Sequence, residues 1–87
     1  MDNVKKTRIL QEKLLYIEKG ATVVSQNIKN KKIDVDIEFE GKEYKFTLMP
    51  DKIEVKIKSV GRFDYVALKV FENFFRDLRD NLFKEEN

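Results

Sequence analysis

Four carboxylates at alternate positions are the residues whose types and spacing come closest to a chemical site: Asp34, Asp36, Glu38 and Glu40. Carboxylate oxygens suit Ca²⁺, which requires several of them to converge at about 2.3–2.6 Å. Alternate residues of a strand, however, stand about 6.6 Å apart, twice the rise of roughly 3.3 Å per residue. Phe39 also occupies the position, sixth from Asp34, where a calcium loop requires Gly. We therefore predict no metal site, and we expect these charges to keep an exposed edge strand from pairing with another chain.

The residue types needed for catalysis are scarce in this chain. It contains no His and no Cys, which excludes Ser-His and Cys-His nucleophiles, imidazole acid–base catalysis and the usual zinc sites. The serines are isolated, and the three glycines do not form a phosphate-binding loop. An enzyme built from carboxylates and lysines would need paired groups in contrasting environments, and no such pair is recognisable. We predict a protein that is not an enzyme and that carries no cofactor.

The carboxylates belong to a longer segment, residues 33–58, in which apolar and mostly charged residues alternate. Strict alternation is typical of half-buried strands. Tight turns are predicted at Glu40-Gly41, where Gly tolerates positive φ, and at Pro50-Asp51, where Pro presets φ. The segment therefore predicts three antiparallel strands, at about 32–40, 43–49 and 52–58.

The first turn determines the register of the predicted hairpin. A turn at Glu40-Gly41 brings Phe39 opposite Lys42 and, further along, Asp36 opposite Lys45. A slip of two residues would instead bring Glu38 opposite Lys45, with the same residues facing the core. The central strand of this meander has a partner on each side, so the other two are predicted to be edge strands.

Two helices are predicted to flank the strands. Residues 3–28 contain an apolar stripe at steps of three and four residues, which is typical of one face of a helix; its members are Leu10, Leu14, Ile17, Ala21, Val24 and Ile28. Gly20 either kinks this helix or ends it, and because the stripe crosses Gly20 in phase, one kinked helix is favoured. Residues 62–83 carry a broader apolar face with several Phe residues.

The predicted fold class is α+β, with the order α-β-β-β-α in a single domain spanning residues 1–87. The three-stranded antiparallel meander has one apolar face, which two helices packed side by side on that face would cover. The longest apolar run, Leu14–Ile17, is too short for a signal peptide or a membrane span. The absence of Cys suits a reducing compartment. We therefore expect a soluble, cytoplasmic protein without membrane association.

Surplus apolar residues on the second helix favour a macromolecular partner, with protein ranked first. The residues predicted to contact this partner are Tyr65, Leu68, Phe75 and Phe83. Surplus aromatics in a surface patch mark interaction sites, and the partner would be another protein or a second copy in a homodimer. The simpler interpretation is that two neighbouring helices need wide apolar faces. An adaptor or an inhibitor, for example a phage-derived inhibitor of a host nuclease, would have this profile.

Nucleic-acid binding is the alternative, because the charge is unevenly distributed. Residues 1–32 carry eight basic and three acidic residues, whereas the whole chain has a net charge of only +2. The residues predicted to contact phosphates are Lys29, Lys31, Lys32, Lys56, Lys58 and Arg62. The first three and the last three are expected at opposite ends of the sheet, so the two groups do not obviously form one surface. The element order is also that of double-stranded RNA-binding domains, but their characteristic motifs are missing and no family is assigned.

Overall fold

The computed structural model describes residues 3–57 and 65–83, except the side chains of residues 65–68. Two helices flank four strands, and the elements in chain order are α1 (Asn3–Leu14), β1 (Thr22–Lys29), β2 (Lys32–Phe39), β3 (Lys42–Leu48), β4 (Ile53–Ile57) and α2 (Tyr65–Phe83). The strands form one antiparallel sheet in the order β1-β2-β3-β4. The predicted α+β class is therefore confirmed, but the sheet has four strands where three were predicted.

The hairpin between β2 and β3 forms in the predicted register. Phe39 pairs with Lys42 and Asp36 with Lys45. Glu40 and Gly41 have φ angles of 51° and 77°, and two successive positive φ values define the type I′ turn that matches the twist of a hairpin. Alternation and a turn that permits a single register were thus sufficient to place these two strands.

The first predicted helix is wrong beyond Leu14. The N–H groups of residues 15–17 bond to carbonyls three residues earlier, which tightens the end of the helix. Gly20 takes a φ of 95°, six residues beyond the last residue of α1. Thr22, the first residue of β1, opens a run of three β-branched residues, which favour strands because their χ1 angles are restricted in helices. Gly20 therefore belongs to the connection between a helix and a strand, and does not kink a longer helix.

The additional strand changes the role of the acidic residues. β2 pairs with β1 on one side and with β3 on the other, so the prediction that its carboxylates protect an edge is wrong. Ser25 Oγ donates a hydrogen bond to Asp36 at 2.8 Å, and Thr47 Oγ1 donates one to Asp34 at the same distance. The carboxylates of β2 thus bind neighbouring strands across the exposed face of the sheet. A four-stranded sheet also removes the topological likeness to double-stranded RNA-binding domains.

The core lies between the sheet and α2. Phe75 stacks on Phe46 of β3 with 4.2 Å between ring centroids, and Phe71 meets Phe39 of β2 edge to face at 5.0 Å. The buried apolar residues are Leu10, Leu14, Ile33, Val35, Ile37, Tyr44, Phe46, Leu48, Phe71, Phe75, Leu78, Leu82 and Phe83. Helix α1 packs against α2 and β1. β4 supplies none of these fully buried residues.

Candidate functional site

β4 is a strand whose inward side chains are only partly covered by the rest of the described molecule. Its inward side chains are Ile53, Val55 and Ile57, each opposite a buried residue of β3. Val55 is nevertheless 39% exposed, whereas its cross-strand neighbour Phe46 is 2% exposed. Phe46 is covered by Phe75 of α2, on which it stacks at 4.2 Å, whereas Val55 lies one strand further out in the sheet. An apolar strip is therefore accessible along one side of the sheet.

A groove of about 420 Å³ follows this strip between β4 and α2. Its floor is apolar and is formed by Phe46, Ile53, Val55 and Phe75. The wall formed by α2 is polar and mostly basic, and its members are Lys69, Glu72, Arg76 and Arg79. Arg76 is paired with Glu72 at 2.7 Å, and Arg79 with Asp80 at 3.0 Å. The groove thus combines an apolar floor with charged groups along one wall, an arrangement suited to an amphipathic segment.

The backbone of β4 is available along the same side. Met49 N–H donates a hydrogen bond to the Lys52 carbonyl at 2.9 Å, which makes these two residues a hydrogen-bonded pair. Such pairs alternate with non-hydrogen-bonded pairs along an antiparallel ladder. The N–H and C=O groups of Ile53, Val55 and Ile57 consequently point away from β3. Within residues 3–57 and 65–83, no strand pairs with them.

The opposite edge of the sheet, β1, is protected by its own irregularity. The register of β1 shifts between Val23 and Ser25, which leaves Val24 as an extra residue. Such a bulge bends and twists a strand, and makes an edge a poorer template for another strand. Gln26, opposite the buried Val35, places a polar group at the apolar face. The five residues of β4 contain neither a bulge nor a polar residue on the apolar face.

A second apolar surface lies at the end of α1. Leu15 and Tyr16 are both exposed, and Tyr16 shares a groove of about 230 Å³ with Phe74 and Leu78 of α2. The polar residues of this groove include one base and one acid, Lys13 and Asp77. It is smaller than the β4 groove, and no exposed strand edge adjoins it in the described part of the chain.

The structure buries two of the four residues predicted to contact a protein partner. Phe75 is 0% exposed and Phe83 is 1% exposed, so their prediction as surface residues is corrected. Phe83 is covered by Lys6 of α1, whose ammonium lies 4.6 Å from the ring centroid; Phe75 lines the floor of the β4 groove. Tyr65 and Leu68 lie in the first turns of α2, and their side chains are outside the described residues.

The residues predicted to contact phosphates lie on separate parts of the molecule. Lys29, Lys31 and Lys32 are exposed together at the turn between β1 and β2, and Lys29 is within 3.7 Å of the Asp34 carboxylate. Lys56 is exposed in β4, two strands away from β2. Lys58 and Arg62 lie outside the described residues. The described lysines thus do not form one track for a nucleic-acid backbone.

Other kinds of site have little support in the described residues. They contain no cluster of three or more carboxylate, His or Cys residues able to hold a metal ion. None of their helices is long and apolar enough to cross a bilayer. Comparison with known protein families, curated proteins and solved structures finds no match. A function therefore has to follow from the molecule's own surfaces, of which the β4 side is the most distinctive.

Proposed function

We propose that this protein is a non-enzymatic protein-binding module, an adaptor or an inhibitor, that binds its partner along β4. The observation that carries the proposal is the outer edge of β4, with which no strand of the described residues pairs. The outward backbone groups of β4, the exposed side chain of Val55 and the adjoining groove lie side by side. Strand addition to an exposed edge uses main-chain hydrogen bonds for affinity and pockets for alternate side chains for specificity.

The chemistry of this surface favours protein over nucleic acid. A strand edge offers N–H and C=O groups in the alternating order that another strand complements, whereas the phosphate backbone offers only acceptors. The groove floor is apolar, and the exposed Val55 is one of the residues that line it. Of the lysines named in the phosphate-binding alternative, three lie together at the turn between β1 and β2, and Lys56 lies in β4. Protein is therefore the better partner for this side of the molecule.

The test is site-specific photo-crosslinking with a benzophenone amino acid at Val55. Val24 is the matched control position, because it is also a valine on an edge strand and is 50% exposed. In cells that express the variants, we expect protein adducts from position 55 and few from position 24. Excess wild-type protein should suppress these adducts, whereas excess Val55→Glu protein should not.

Two outcomes would contradict the proposal. One is an equal yield of adducts at positions 55 and 24; the other is the absence of adducts at position 55. Circular dichroism of each variant checks that the fold is retained. The mass of the adduct also separates a second copy, at twice 10.4 kDa, from a different protein.

A further inference from the structure

The sequence of β4 is self-complementary about its central residue. It reads Ile-Glu-Val-Lys-Ile from Ile53 to Ile57. When two copies of this strand pair antiparallel about a two-fold axis at Val55, Ile53 of one copy lies opposite Ile57 of the other. Glu54 likewise lies opposite Lys56. We infer that the partner of the β4 edge is a second copy of this chain, joined in a two-fold symmetric dimer with a continuous eight-stranded sheet. This inference rests on the proposed binding function of the same edge.

The hydrogen-bonding geometry fits this pairing. The outward N–H and C=O groups belong to Ile53, Val55 and Ile57, so Val55 would pair with Val55 of the second copy, and Ile53 with Ile57. In an antiparallel ladder each of these hydrogen-bonded pairs exchanges two bonds. Glu54 and Lys56 then form the non-hydrogen-bonded pairs, in which side chains approach most closely.

Within the five residues of β4, charge favours this register over its neighbours. A shift of two residues would place Glu54 opposite Glu54, or Lys56 opposite Lys56, and like charges directly opposite are destabilising. A shift of one residue would turn the apolar face of one copy toward the solvent side of the other. Glu54 is paired with Lys52 at 3.3 Å, and both side chains are at least half exposed, so Glu54 can exchange this partner at little cost.

Pairing would also cover the apolar strip. Strands are about 4.8 Å apart, so two β3 strands would be about 14 Å apart across the seam, and the α2 helix over each is about 10 Å wide. The two grooves would merge into one narrow cleft above the paired β4 strands. The surfaces of the two α2 helices would then be only about 4 Å apart, which is shorter than the screening length of about 8 Å at physiological salt. The facing basic residues would repel each other, and the pairing of Arg76 with Glu72 and of Arg79 with Asp80 reduces this repulsion.

Light scattering after size exclusion over a range of protein concentrations tests the inference. We expect a mass of twice 10.4 kDa for the wild type. Glu54→Lys and Lys56→Glu each put like charges opposite each other on both sides of the axis, and we expect each to raise the dissociation constant about tenfold or more. Lys32→Glu makes the same charge change as Lys56→Glu, but on the exposed face of β2. This control should leave the dissociation constant unchanged.

Restoring the charge pattern makes the test specific to this register. The double variant Glu54→Lys/Lys56→Glu should form dimers about as tightly as the wild type. An equimolar mixture of the two single variants should also associate, since each then supplies the charge that the other lacks. A wild type that stays monomeric would overturn the inference, as would a dimer that the single variants leave intact or that the double variant fails to restore. A monomer that still crosslinks at Val55 to a different protein would overturn only the dimer.

Discussion

At the scale of single residues, Thr47 shows how the exposed face of the sheet is held together. Its hydroxyl donates a 2.8 Å hydrogen bond to Asp34 Oδ1, and the Thr47 side chain is buried although it lies on the polar face. Asp34 is also mostly buried, and its other oxygen is 3.7 Å from the Lys29 ammonium. The partly buried carboxylate therefore relies on groups from both neighbouring strands, and loss of the hydroxyl would leave it poorly compensated.

The Thr47→Val variant measures this contribution. Valine keeps the shape and β-branching of threonine but removes the donor, so we expect the free energy of unfolding to fall by about 1–2 kcal/mol. Thr47→Ser is the matched control, because it keeps the hydroxyl and loses one methyl group. Urea denaturation of the wild type and of both variants gives the free energy of unfolding of each. A valine variant as stable as the wild type would show that water replaces the hydroxyl without cost.

At the scale of elements, the turn between β2 and β3 contains a correctable weakness. Glu40 has a φ of 51°, a left-handed conformation that costs an ordinary L-residue roughly 1–2 kcal/mol. Asn tolerates this conformation better, and Asn-Gly is the preferred pair for a type I′ turn. We expect Glu40→Asn to raise the free energy of unfolding by about 0.5–1 kcal/mol. Thermal denaturation of the wild type, Glu40→Asn and Glu40→Val tests this expectation. Glu40→Val is the control and should be less stable than the wild type. A Glu40→Asn variant less stable than the wild type would contradict the prediction.

The elements also differ in how well the sequence predicts them. Residues 33–57 were predictable because strict alternation and the Glu40-Gly41 turn permit one register. β1 was missed because its bulge at Val24 breaks the alternation: Val23 and Ile28 pack against the core while Val24 is exposed. The resulting spacing of apolar residues imitates a helix. A bulge is stabilised by pairing with β2, which a local pattern cannot reveal.

At the scale of the whole molecule, the candidate site could not be predicted from the sequence. The alternation correctly placed Val55 on the inward face of its strand. Its exposure depends on where α2 crosses the sheet, and this follows from the packing of Phe71 and Phe75 on Phe39 and Phe46. Because α1 contacts α2 and β1, the helical layer is displaced toward the β1 side. The added fourth strand widened the sheet that two helices had to cover.

The size of the domain leads to the last prediction, a melting temperature that depends on protein concentration. A chain of 87 residues buries only about 60–65% of its unfolded surface, so pairing along β4 would add appreciably to its stability. When folding is coupled to dimerisation, a tenfold increase in concentration stabilises the dimer by about 1.4 kcal/mol, or about 0.7 kcal/mol per chain. For a domain of this size, that raises Tm by about 3–6 °C.

Calorimetry over two decades of concentration would measure this dependence. Lys56→Glu supplies the comparison, because its exposed side chain lies on the polar face of β4 and its replacement should leave the monomer folded. We expect the variant to melt at the same temperature at every concentration at which it is monomeric. The wild type should approach that temperature only on dilution. A wild-type Tm independent of concentration would mean that the domain is stable without a partner on β4, and that its exposed strip serves a different protein.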